Sequence, residues 1–174
     1  MKRIFRFFAL AAVGTALMGM VSCGKDEEKT SEEDIVITES ATYAVYFNNN
    51  VIAAGDTVVC QPTLSDMRNG LARFDFLFFN KTETPVSSMV KLEMADGPSS
   101  MNHVLVCGGA NNQCMEQDCP WTSEAYPIEP GLDTQHPLSV EFTPGTGEQA
   151  VYRLCVMEQG KTDNAQIIYF NVIL

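Results

Sequence analysis

The sequence predicts an all-β chain, an antiparallel immunoglobulin-like β-sandwich of about seven strands, preceded by a segment for export. Three observations carry this prediction. Apolar residues recur with period two from Thr42 onward, clusters of Gly, Pro, Asn and Asp divide the runs, and almost no stretch sustains a helical period. There is no internal repeat and no sign of a second folded domain in the 174 residues.

At the N-terminus, Lys2, Arg3 and Arg6 precede an uncharged run from Phe7 to Met20, the basic and apolar regions of an export signal. The run is shorter than the about 20 apolar residues of a spanning helix, and it stops at Ser22-Cys23 without a basic stop-transfer flank. Residues 1–22 are therefore expected to be a signal peptide. Residues 23–40, with Asp26, Glu27, Glu28, Glu32, Glu33 and Asp34, are expected to be an acidic disordered tether. The folded domain is then 41–174.

Within it, Tyr43, Val45 and Phe47 make a first strand, closed by Asn48-Asn49-Asn50, residues that tolerate positive φ. A second strand through Val58 and Cys60 follows the Gly55-Asp56 turn and ends at Gln61-Pro62. Arg73 to Asn80 is the clearest strand, with Phe74, Phe76 and Phe78 on one face in need of a core. Val90, Leu92 and Met94 alternate with Lys91 and Glu93 in the next, and His103 to Cys107 is a short one. Cys107 to Gln135 has no sustained period and several prolines and glycines, so it reads as one long loop, functional or disulfide-pinned. Alternation returns in Leu138, Val140 and Phe142, in Tyr152, Leu154 and Val156, and in Ile168, Phe170, Val172 and Leu174.

The acids outnumber the basic residues 22 to 11, a formal charge of −11. Removal of the signal would take three basic residues and no acid, making it −14. Such a surface repels nucleic acid and anionic lipid, so neither is an expected partner.

Of six cysteines, lipidation of Cys23 would leave Cys60, Cys107, Cys114, Cys119 and Cys155, an odd number that cannot all pair within one chain. Cys107 bonded to Cys114 or to Cys119 is the first expectation, since a bridge would constrain the long loop. A Cys60–Cys155 bridge is weakened by the strand face of Cys155, which it shares with Arg153 and not with Leu154 and Val156. A zinc site of His103, Cys107, Cys114 and Cys119 lacks any close Cys-x2-Cys pair, and no Cys-x-x-Cys suggests redox catalysis. No metal and no cofactor is expected.

The catalytic inventory is thin, with His103 and His136 the only histidines and no Gly-x-Ser-x-Gly elbow. Trp121, Tyr126 and Met115 in the long loop are the expected contact residues, because an aromatic on a pinned loop loses little entropy on binding. The leading expectation is a non-catalytic binding module for an unidentified protein or polysaccharide. The alternatives are a hydrolase of envelope or host material and a structural subunit of a fimbria or envelope complex.

Met20-Val21-Ser22-Cys23 resembles a lipobox, with methionine where leucine is commonest, which implies lipidation of Cys23 and membrane attachment through acyl chains. The acidic run after it resembles the signal that carries Bacteroidetes lipoproteins to the outer face of the outer membrane, which implies surface display. Phe76-Leu77-Phe78-Phe79-Asn80-Lys81-Thr82 leading to Val90 and Leu92, Val106-Cys107-Gly108, and Phe142-Thr143-Pro144-Gly145 leading to Val151-Tyr152 together resemble a group of small Bacteroidetes lipoproteins. The resemblance spans about Tyr43 to Leu174 and implies an immunoglobulin-like sandwich. It implies no functional residues.

Overall fold

The computed structural model describes residues 37–109 and 113–174. The expected signal peptide, Cys23 and the tether up to residue 36 lie outside the described residues. Thirteen strands form among them. They are β1 (Tyr43–Phe47), β2 (Asn50–Ile52), β3 (Thr57–Cys60), β4 (Met67–Arg68), β5 (Leu71–Asn80), β6 (Val86–Asp96), β7 (His103–Gly108), β8 (Gln113–Asp118), β9 (Trp121–Thr122), β10 (Tyr126–Ile128), β11 (Gly131–Phe142), β12 (Gln149–Glu158) and β13 (Gln166–Ile173).

The strands make two sheets. The first has the order β2-β1-β5-β11-β7-β8, with β4 against β5; the second has the order β10-β6-β12-β13-β3, with β9 against β6. All pairings are antiparallel except β13 with β3. Alternation built the long strands, because one face of each is sealed by the other sheet and the opposite face is solvated.

Phe74, Phe76 and Phe78 all lie in the core, and so do Val90, Leu92, Leu138, Val140, Tyr152, Leu154, Val156, Ile168, Phe170 and Val172. Aromatic contacts cross the interior between the sheets. Phe76 meets Phe170 with ring centroids 4.8 Å apart, and Phe142 meets Tyr152 at 5.4 Å. Truncating such a ring typically costs about 3–5 kcal/mol. The buried hydroxyl of Tyr152 donates to the Met101 carbonyl at 2.5 Å, so it is satisfied without water.

Two sequence expectations change. The strands number thirteen instead of about seven, because β2, β4, β8, β9 and β10 have six residues or fewer and carry little or no apolar alternation, so the sequence did not mark them. The long loop from Cys107 to Gln135 is mostly strand. It holds β8, β9, β10 and the start of β11, strands that are polar, very short or interrupted by proline. Pro127 sits in β10, at the margin of its sheet, and Pro137 lies within the register shift between Asp133 and Leu138, both places where a missing N–H is tolerated.

The residues before β1 are joined to the sandwich. The Ser40 N–H donates to Gln166 Oε1 at 2.9 Å and its hydroxyl donates to the Asn164 carbonyl at 2.8 Å. Glu39 accepts from the Ala54 N–H at 2.6 Å.

Candidate functional site

β8 is the last strand of its sheet, and it sets the site. Its register against β7 pairs His103 with Asp118, Leu105 with Glu116, Val106 with Met115 and Cys107 with Cys114. Side chains alternate, so Gln113, Met115 and Gln117 share the interior-facing row with the core residues Val104 and Val106, while Cys114, Glu116 and Asp118 face outward. The interior row is nonetheless open, with Met115 at 53% exposure, because the second sheet does not reach over β8.

The other wall is β9 and the residues after it. β9 pairs with β6, Trp121 opposite Leu92 and Thr122 opposite Lys91. Ser123 locks this segment down. Its N–H donates to the Val90 carbonyl at 2.8 Å and its hydroxyl accepts from the Val90 N–H at 2.9 Å. Trp121, half-buried, packs against the core on one side. On the other it lines a groove of about 340 Å³ with Val106, Gly108, Gln113, Met115, Gln117 and Glu124. That volume is near the small end of ligand pockets, about 300–1,000 Å³.

The predicted contact residues divide. Trp121 and Met115 converge on this groove. Tyr126 does not. It is 2% exposed and belongs to the core, since its place on β10 turns it inward and burial raises its hydroxyl pKa above the usual range. Gln113, Gln117, Thr122 and Glu124 escaped the sequence reading because an amide on an unrecognised strand carries no signal of its own.

Cys107 and Cys114 form a disulfide across β7 and β8, one of the two pairings expected for Cys107. The other is excluded, because Cys119 is a free thiol buried in the core, pushed up to about 11 by burial. Cys60 and Cys155 are free as well. They lie in the same sheet, on β3 and β12, with β13 between them, so no bridge across the sandwich forms. Bonding of Cys107 to Cys114 also dismantles the zinc set of His103, Cys107, Cys114 and Cys119. Among the described residues no cluster of His, Cys, Asp and Glu is arranged to hold a metal.

The histidines stand apart from the groove. His103 Nδ1 lies 2.8 Å from Asp118 Oδ1 and its Nε2 3.5 Å from Glu116, both on β8. His136 Nδ1 lies 3.0 Å from Asp133 Oδ2.

No family model matches the chain, and no curated protein matches it. Among solved structures it is similar to the N-terminal domain of PorA, 19% identical with a TM-score of 0.50, over 75% of this chain and 96% of that one. The fold is an immunoglobulin-like β-sandwich. Weaker likenesses, each with a TM-score of 0.38, are to a PapD-like domain of human CEP192 (10% identity, 88% of this chain and 94% of that one) and to the CooA pilin subunit of enterotoxigenic Escherichia coli (9% identity, 76% and 98%). At these identities the likeness concerns fold alone.

Proposed function

We propose that this chain is a lipid-anchored, surface-displayed binding module without catalytic activity, whose contact element is the groove between β8 and the Trp121–Glu124 segment. The observation that carries the reading is the convergence of Trp121 and Met115 on one concavity, from two different sheets. Both walls are held in place before any ligand arrives, one by the disulfide and one by Ser123. Preorganisation of this kind lowers the entropy cost of association. Anchorage at Cys23 and display on the cell surface rest on the lipobox and the acidic run alone.

The test is capture from envelope extracts, using the full chain and its Met115→Glu and Trp121→Phe variants. Material retained by the wild type should be lost or much reduced with Met115→Glu and weakened with Trp121→Phe. If both variants retain the same material as the wild type, the groove is not the contact element.

A further inference from the structure

The side chains around the groove also define what kind of molecule fits it. We propose that its ligand is a neutral glycan, a deduction that rests on the groove being the binding surface. Among the described residues no Lys, Arg or His lines the cavity, and the charged one that does is Glu124. In a chain of net charge −11, such a wall disfavours phosphate, sulfate, uronic acid and nucleic acid. The polar groups that remain are the amides of Gln113 and Gln117, the hydroxyls of Thr122 and Ser123 and one carboxylate. Amides and hydroxyls both donate and accept, which matches sugar hydroxyls, themselves both donors and acceptors.

Trp121 supplies the apolar complement. A pyranose ring has C–H faces that pack on an aromatic plane, and an indole already packed on the core gives up little freedom in holding one. Gln113, Met115, Thr122 and Glu124 are all exposed, so the groove is open along its walls and takes a short stretch of a longer chain. A peptide would dock by adding a strand to the outer margin of β8. There it would meet Glu116 and Asp118, charges of the kind that guard sheet edges against strand addition.

The molecule carries its own reporter, because Trp121 is the only tryptophan in the sequence. The full chain, purified in a detergent without a sugar headgroup, is titrated with dextran, mannan, laminarin and arabinoxylan, and with polygalacturonate and heparin as anionic controls. At least one neutral polysaccharide should shift the tryptophan emission saturably, and the anionic controls should not. The paired substitution Gln113→Ala and Gln117→Ala, at side chains outside the core, should weaken that binding about tenfold or more, with Tm unchanged. Trp121→Phe, followed by calorimetry, should weaken it too.

No emission shift with any neutral polysaccharide up to about 10 mM sugar units overturns the proposal, as does equal binding of the anionic controls or full affinity in the double-glutamine variant. The envelope capture separates the two readings. If Met115→Glu abolishes capture but the captured material is destroyed by protease and survives periodate, the groove stands as a binding surface and the glycan falls. If Met115→Glu and Trp121→Phe leave capture unchanged, both fall.

Discussion

At the scale of single residues, the most informative positions are those where environment alters chemistry. His103 faces two carboxylates across the β7–β8 pair. Hydrogen bonding to Asp118, then to Glu116, raises its pKa above the ordinary histidine value. The folded value is therefore above the unfolded one. The stabilisation is fully present below the unfolded pKa and is lost as pH rises through the folded one. An NMR titration of the His103 ring should show a raised midpoint that falls in Asp118→Asn; an unchanged midpoint would mean the pairing is not formed in solution. The free thiols follow from desolvation. Burial pushes Cys60 up to about 12 and Cys119 up to about 11, and it raises Cys155 also. Because the thiolate is the reactive form, a Cys23→Ser chain should take up almost no thiol reagent at pH 8 until it is unfolded, when three thiols should react. Rapid labelling of the native chain would contradict the burial of all three.

At the scale of elements, what the sequence revealed depended on whether both faces of a strand had different neighbours. β5 was legible because Phe74, Phe76 and Phe78 meet the opposing sheet while Arg73 and Asp75 do not. β12 and β13 were legible for the same reason. β8 was not, because its interior row ends beyond the reach of the second sheet and carries Gln113 and Gln117 where a covered strand would carry apolar residues. β9, β4 and β2, of two or three residues, are shorter than a period can reveal. The same cause hid half of the groove. Trp121 and Met115 stood out as large side chains, whereas the amides beside them became meaningful only when β8 was seen to face β9. Besides its ladder with β7, the disulfide is the covalent restraint on this marginal strand, and it closes a short loop with a sequence separation of seven. Chain-entropy arguments value such a closure at about 2–3 kcal/mol. The paired Cys107→Ser and Cys114→Ser variant should melt roughly 6–10 °C lower, and its β8 amides should exchange faster while those of β12 and β13 keep their protection. Unchanged exchange in β8 would show that hydrogen bonds to β7 suffice to hold the strand.

At the scale of the whole molecule, the proposed anchorage sets how the sandwich meets its surroundings. Acyl chains would hold the protein to its membrane, since the processed chain, at the net charge of −14 left by loss of the three basic residues of the signal, would gain nothing from anionic headgroups. Each buried CH₂ contributes about 0.8 kcal/mol, so two or three chains suffice for durable attachment where a single one does not. Cys23→Ser should shift the protein from the detergent phase to the aqueous phase, and mass spectrometry of the wild type should find an acylated N-terminus at residue 23. An intact segment 1–22 on the membrane-bound protein would refute lipidation and leave surface display without support. On the folded side, Ser40 ties the incoming chain to Asn164 and Gln166, so any tether ends on a fixed point of the sandwich.

The bond between Cys107 and Cys114 also governs phase. Slide β8 by a single residue along β7 and the two rows of side chains trade places, which a strand with polar residues on both faces resists only weakly. The cavity would then be walled by Glu116 and Asp118, and a site suited to hydroxyls would become one suited to cations. Cys107 can meet Cys114 in only one of these alignments. Oxidation therefore records which of two chemically different surfaces the same six residues present, and makes that choice covalent.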